Sequence, residues 1–392
     1  MSQADRMHGV TANEYTKGLR PISDLTSNII GIVAVAEDAD DTVFPLATPV
    51  FSATVSAIID KAGSKGTLYK TLDGILDQAD ARVIVVRAEA DETTETQKAN
   101  VITAVKALRK AATYTGFKPN IIGAPEIDDA DVTAELVAVA EALGAFVYAS
   151  CGDQTEIAEL KRYRQGFGNR QLMLIDGHFM AFNDATQQND TAATIGRILG
   201  ARAKLDDLIG PHKSISNTEI LGVSGIQTPR TFGLLDKNSE ANTINNADIT
   251  TLIRENGYRV WGNRTCSADP IWAFEPTVRM SMLVKEVIAS SFLWAMDKPM
   301  HPSLMIDIIM SINAKLSEYV AKGWLLGAEV RIDRAKVDSA RVSNGIFAFD
   351  YEFTVPPPLE NIELNQHVSD KFIVNLTEKV IEFASNLKPT TV

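Results

Sequence analysis

Residues 28–36 read NIIGIVAVA, an Ile/Val/Ala run broken by a single glycine. Nine residues are strand length, and a strand apolar on both alternations is one buried on both faces, as in a parallel sheet covered by helices. The acidic residues 37–41 end it in solvent. Outward from it, residues 81–88 (with RVIVVRA), 120–123, 145–150 and 171–176 read as further strands. Between them, residues 67–77, 95–112, 131–143 and 155–165 have helical character. Leu68, Leu72, Ile75 and Leu76 lie at helical spacing in the first of these, and Val101, Val105 and Leu108 share one face of the second. Strands alternating with helices imply a mostly parallel sheet with both faces covered. An α/β layered domain over residues 21–238 is expected.

The second half has a different grammar. Residues 191–207 read as a helix ending before Gly210-Pro211, residues 220–223 as a short strand, and residues 237–246 as the domain boundary. Residues 257–265, GYRVWGNRT, set Val260 and Trp261 between Arg259 and Arg264, with Asn256-Gly257 and Gly262-Asn263 as turn formers. A strand leaving an Asn-Gly turn follows. Arginine stays charged, so nothing in this block exchanges a proton near neutral pH, and it reads as a structural node rather than catalytic machinery. Two long helices at 277–296 and 302–322 come next, with Pro302 at a first-turn position and Gly323 closing the second. Strands are expected at 330–337 and 345–355, the latter alternating Phe347, Phe349, Tyr351 and Phe353. Pro356-Pro357-Pro358 is a stiff spacer. Beyond it, residues 359–374 alternate in part through Ile362, Leu364 and Gln366, and residues 376–386 form a short helix. Residues 1–20 carry little periodicity, although Val10, Tyr15 and Leu19 are spaced apolar anchors.

The chain has 392 residues, enough for two or three cores, and its 45% hydrophobic and 22% charged content is that of a globular protein. A net charge of -12 argues against a general nucleic-acid binder. That charge is polarised: residues 254–341 hold 12 Lys/Arg against 10 Asp/Glu, so the rest of the chain carries all of the negative balance. Arg279 with Lys285, and the stripe Arg331, Arg334, Lys336 and Arg341, read either as solvated faces or as a basic contact surface. Two cysteines, Cys151 and Cys266, build no disulfide framework and fit a reducing compartment. No signal peptide is expected from the first ten residues, and no apolar run approaches membrane-span length.

No motif in the sequence completes a catalytic or ligand-binding set. Residues 63–67, GSKGT, invite a phosphate-cradle reading but lack the GxxxxGK[ST] spacing, so they read as a turn. Residues 222–225 miss the nucleophile elbow. Cys151 follows a buried strand, yet no spacing identifies a base for it among five histidines. Asp176 with His178 is no stronger, and no metal-ligand spacing occurs. No catalytic, cofactor-binding or metal residue is expected.

Residues 245–274, NNADITTLIRENGYRVWGNRTCSADPIWAF, resemble the most characteristic block of the tail sheath proteins of contractile-tailed phages and the related R-type pyocins. GPHKSISNTEILGVSG (210–225), FPLATPV (44–50) and PPPLENIELNQHVSDKF (356–372) fit the same family in the same order. The resemblance implies an α/β plus α+β chain. Its outer α/β layered domain would hold a largely parallel sheet over 21–238. Its inner α+β domain over 239–356 would hold two long helices and a small sheet, extended by arms at 1–20 and 357–392. It also implies arm contacts with neighbouring subunits through Val10, Tyr15, Leu19, Ile362, Leu364 and His367, an inner-domain node at Arg259, Trp261 and Arg264, and a tube-facing surface at Arg331, Arg334, Lys336 and Arg341. Partners would be further copies in stacked hexameric rings, the tail tube protein, and baseplate and tail terminator proteins, with no nucleic acid, membrane insertion or cofactor. Such a subunit is made in the bacterial cytoplasm and works in the virion tail or a pyocin-like particle. A static shell or baseplate-type protein, and an α/β enzyme with an unrecognised site, are the competing readings, since a fold alone gives no function.

Overall fold

The computed structural model describes Ile22 and residues 26–183 and 188–387. The apolar run at 28–36 forms β1 (Ile30–Val35), every residue of it buried. Around it are β2 (Val50–Ser52), α1 (Leu68–Leu76), β3 (Val83–Ala88), α2 (Thr94–Ala107), α3 (Ala111–Thr115), β4 (Ile121–Gly123), α4 (Ala130–Leu143), β5 (Phe146–Ser150), α5 (Ile157–Gln165) and β6 (Leu172–Ile175). The six strands lie in the order β2-β3-β1-β4-β5-β6. All pairings are parallel except that of the short edge strand β2 with β3. Side chains of β1 and β3 alternate between two cores. Ile30, Ile32, Val83 and Val85 face one that α1 shares, and Val33, Val35, Ile84 and Val86 face one that α2 and α4 share. Period-two alternation with both faces apolar is what buries the sheet on two sides.

The expected helix over 95–112 is divided: α2 ends at Ala107, a single tight turn spans Leu108–Lys110, and α3 follows. Helix α4 begins where Asp129 accepts hydrogen bonds from the amides of Asp131 and Val132, and ends at Gly144 with φ +67°. A side-chain oxygen satisfying first-turn amides and a left-handed terminal glycine are what bound a helix.

After β6 come β7 (Phe179–Asn183), β8 (Gln188–Thr191), α6 (Thr194–Leu208), β9 (Gly225–Ile226) and α7 (Glu240–Asn245). Strands β8-β7-β9 make a small antiparallel sheet that sequence periodicity did not indicate, because β8 (QNDT) is wholly polar. Helix α6 packs on α1 at glycine contacts: a Cβ at Gly200 would stand 2.7 Å from the Ile75 carbonyl oxygen. The strand expected at 220–223 does not form. An isolated bridge forms one residue earlier, Glu219 to Arg259, with the Ile220 amide donating to the Tyr258 carbonyl at 2.8 Å, and β9 pairs with β7 instead.

The hairpin β10 (Thr251–Arg254) and β11 (Tyr258–Trp261) follows, with Asn256 and Gly257 both at positive φ, as the Asn-Gly turn requires. Then come α8 (Glu275–Ser291), α9 (Pro302–Ala321), β12 (Gly327–Arg331), α10 (Ser339–Ser343) and β13 (Asp350–Thr354). Strands β12 and β13 pair antiparallel as a two-stranded sheet, shorter than the expected 330–337 and 345–355. Asp333 caps a tight turn at Arg334–Lys336, and Asp338 caps α10, so the connection folds back as helical turns before pairing resumes. In register, Ala328 faces Phe353 and Val330 faces Tyr351, and these side chains pack on the core of α8 and α9.

Residues after the expected 238/239 boundary still belong to the α/β cores: Ile244, Ile249 and Cys266 pack with α2, α4 and β5, and Val278 with β1 and α6. The helical core takes α8 from Met280 onward, with Ile22 packed against it. In packing terms the division therefore falls inside α8, which spans both cores. The chain forms two compact units, one through Pro358 and one from Leu359. The second holds an extended stretch and α11 (Lys371–Ser385), five residues earlier in its start than the periodicity indicated.

Candidate assembly surfaces

The block at 257–265 is a joint. Ahead of β10, the Thr250 amide donates to the Leu174 carbonyl at 2.9 Å and the Asp176 amide donates to the Thr250 carbonyl at 2.7 Å, so the hairpin extends the edge of the six-stranded sheet. Cys266 repeats the attachment through Leu172. Gly262, at φ +140°, lets the chain turn against Thr250, whose Oγ1 would lie 2.7 Å from an added Cβ.

All three expected node residues work within the chain. Arg259 donates to the carbonyls of Glu255, Asn256 and Asn217 and so closes the hairpin turn. Trp261 is half-buried, edge-on to Phe232 at 5.0 Å, and its carbonyl accepts from Asn245. Arg264 lies over the Phe274 ring at 5.3 Å and 3.9 Å from Asp248, fastening the block to the start of α8.

Sequence reasoning missed a buried charge network behind that joint. Arg202 of α6 pairs with Asp206 at 2.6 Å and with Glu275 of α8 at 3.3 Å. Arg279, also of α8, grips Asp206 through both terminal nitrogens, and the Tyr148 hydroxyl donates to Glu275 at 2.7 Å. Arg279, read from sequence as part of a basic surface, is buried. Burial pushes the Asp206 carboxyl up, but Arg202 and Arg279 outweigh it and hold the group below the usual carboxylate range. The only sequence signal was i,i+4 spacing at 202/206 and 275/279, which a solvated helix shows equally.

The GSKGT loop is a cradle that the chain fills itself. Its Ser64 and Lys65 amides and the Ser64 hydroxyl all donate to the Asp38 carboxylate at 2.8–3.0 Å. These bonds draw the Asp38 carboxyl down to about 2. Cys151 and Cys266 are both buried, and burial raises both thiols, favouring the neutral form. Asp176 is held by Arg230 and Thr251. Among the described residues no cluster of His, Cys, Asp or Glu could hold a metal ion, and no helix is long and apolar enough to cross a membrane.

The basic stripe lies on the β12–β13 hairpin and its connection, and two of its members are paired with carboxylates. Arg331 pairs with Glu329 at 3.3 Å and Glu352 at 3.0 Å, separating two glutamates that face each other across the strands. Lys336 pairs with Asp350 at 2.8 Å. Arg341 is exposed on α10, and Arg334 opens the preceding tight turn. The two outer edges of β12 and β13 have no strand beside them among the described residues. Ile362, Leu364 and His367 lie in the extended stretch of the second unit, all exposed, with Leu364 85% so. Val10, Tyr15 and Leu19 lie outside the described residues.

The model of the phage tail sheath protein central domain matches residues 100–266, and that of the phage tail sheath C-terminal domain matches residues 267–369. The chain belongs to the phage tail sheath family. It is similar to the tail sheath protein of Escherichia phage P2, 38% identical over 96% of this chain and 99% of that one. The major tail sheath protein of Serratia phage KSP20 is 37% identical over 93% of this chain and 96% of its own length. Among solved structures, the helical sheath of the anti-feeding prophage in its contracted state has a TM-score of 0.71 at 16% identity, covering 93% of this chain and 99% of that chain. The contracted PVC sheath complex of an extracellular contractile injection system gives 0.71 at 15%, covering 94% and 99%. These likenesses establish that the sheath chain has the fold of such subunits. The two family models meet between Cys266 and Ser267, directly after the joint.

Proposed function

We propose that this chain is the structural subunit of a contractile tail sheath, working in a virion tail or pyocin-like particle, and that its copies are tied together by exchanged terminal arms. Further copies stack as hexameric rings around a tail tube, between baseplate and terminator proteins. The α/β part, expected over residues 21–238 but packed as far as Val278, is the outer part, the helical core of α8 and α9 with the β12–β13 sheet, up to residue 356, is the inner part, and residues 1–20 and 357–392 are the arms. Val10, Tyr15 and Leu19 anchor one arm, and Ile362, Leu364 and His367 the other.

One observation carries this reading: an exposed apolar arm and an incomplete sheet occur in the same chain. A two-stranded sheet is marginal alone, and a third strand from another chain saturates its edge with main-chain hydrogen bonds. Such bonds survive rotation of one subunit against the next if the linker flexes. The drive for shortening then resides in extra burial between subunits. A few kcal/mol per subunit decides a two-state population, so modest burial summed over the polymer suffices without nucleotide.

The tube contact is placed at the inner face around Arg331, Arg334, Lys336 and Arg341. Because Arg331 and Lys336 are internally paired, reversing them brings carboxylates together and strains the hairpin itself. Arg341 is the cleaner probe of that surface.

Ending the chain at Pro358 tests the arm model. The shortened protein is expected to stay folded by circular dichroism, sediment as a monomer and form no sheath when coexpressed with its tube. Normal sheath from it would remove the C-terminal arm from the mechanism.

A further inference from the structure

Helix α11 repeats apolar residues at three and four positions: Ile373, Leu376, Val380 and Phe383, all exposed. This is the spacing of a helix-pairing seam. A lone helix of 15 residues is marginal in water, so a seam of this kind needs a surface to lie on. The polar side of α11 carries Lys371 and Lys379 against Glu378 and Glu382. A lipid-surface helix concentrates positive charge there, so the balance favours a protein partner.

A receiving face of matching character exists on α9. Exposed Ile306, Met310 and Ala314 follow one another at four-residue spacing, flanked by Asn313 and Ser317. From Pro302 to Ser317 the exposed positions of α9 include a single charge, Asp307. Small and apolar residues in this arrangement let a second helix approach closely. The opposite side of α9 shares its core with β12, through Ile308 and Ile312 against Ala328 and Val330. A strand added at the edge of β12 therefore lies beside the same helix in the acceptor, and the chain that follows it has only to pass round α9 to reach the exposed face. Twelve residues, 359–370, precede α11, and extended chain of that length reaches about 40 Å, enough to cross to a neighbour.

Resting on the sheath reading above, we propose that α11 docks its Ile373–Leu376–Val380–Phe383 seam on the Ile306–Met310–Ala314 face of α9 in a second copy of this chain. The arm is then a two-part clasp, a strand that sets direction and a helix that locks it.

The test mixes two populations of full-length chain, I306C and V380C, assembled on tube and treated with a short bismaleimide. Cys151 and Cys266 are buried and do not compete. A second pair, M310C with L376C, guards against a poor register at the first. The proposal expects covalent ladders in the mixed polymer from at least one pair and none from any single population, and a V380D chain that loses polymer yield at least about tenfold. Striated polymer without mixed crosslinks overturns the docking and leaves the sheath reading standing, as do V380C–V380C products alone, which mean that α11 pairs with itself. Chains that stay monomeric with tube present overturn both together.

Discussion

Asp128 shows how much of this protein's pH response resides in one side chain. It is buried and accepts from the Ser150 amide at 2.6 Å and the Ser150 hydroxyl at 2.9 Å. Burial pushes its carboxyl up from 3.8 to about 7, with the Ser150 bonds pulling weakly the other way. The folded chain thus holds a proton that the unfolded chain releases. This contribution to stability is full below pH 4 and is lost as pH rises through about 7. Asp128→Asn, which keeps the shape and stays neutral, is expected to raise the melting temperature at pH 8 and leave it nearly unchanged at about pH 3.5, below the unfolded pKa. An equal shift at both pH values would show that Asp128 is charged throughout. Nothing in the sequence marks Asp128, which sits in the acidic lead-in to a helix, where a solvated carboxylate is the ordinary outcome. The opposite holds at Arg259 and Gly262, where the Asn-Gly turn and the GYRVWGNRT pattern made the joint legible.

Two elements carry the mechanical argument, α6 and α8. Helix α8 starts in the α/β cores at Val278 and continues into the helical core from Met280, and the Arg202–Asp206–Arg279–Glu275 network clamps its first turns to α6. Removing one partner of a buried pair strands the other, at a cost of roughly 3–5 kcal/mol. Arg279→Met leaves Asp206 with Arg202 alone, and a loss of about 3 kcal/mol in urea unfolding is expected. A loss below about 1 kcal/mol would mean that the clamp is not what joins the two parts. The strands and helices of the α/β part were legible because both faces of each buried strand are apolar, and α9 because Pro302 and Gly323 bound it, whereas α8, expected to reach residue 296, ends at Ser291 ahead of a tight turn over Leu293–Ala295. The β7–β8 hairpin and the exact extent of β12 and β13 were not, because polar and capped turns override alternation there. The buried network stayed hidden since spacing alone does not distinguish a clamped helix pair from a wet one.

For the whole molecule, the two units differ in burial. The unit through Pro358 buries three apolar cores and leaves single side chains such as Leu235 and Ile306 exposed, while the described residues from Leu359 are all exposed, Leu364, Phe372, Leu376 and Phe383 among them. A chain built this way reaches full burial only in company, and family membership supplies the company: further copies of itself. The break before Leu359 was legible from Pro356-Pro357-Pro358, whereas the alternation after it pairs with no strand among the described residues, and what that unit reaches belongs to the polymer and not to one chain. The decisive observation is electron microscopy of the full-length protein assembled with its tube, before and after mild acid or urea. Striated cylinders that shorten and widen on treatment are the expected result. Cylinders of one unchanging length and diameter under every condition would contradict contraction and leave a static shell.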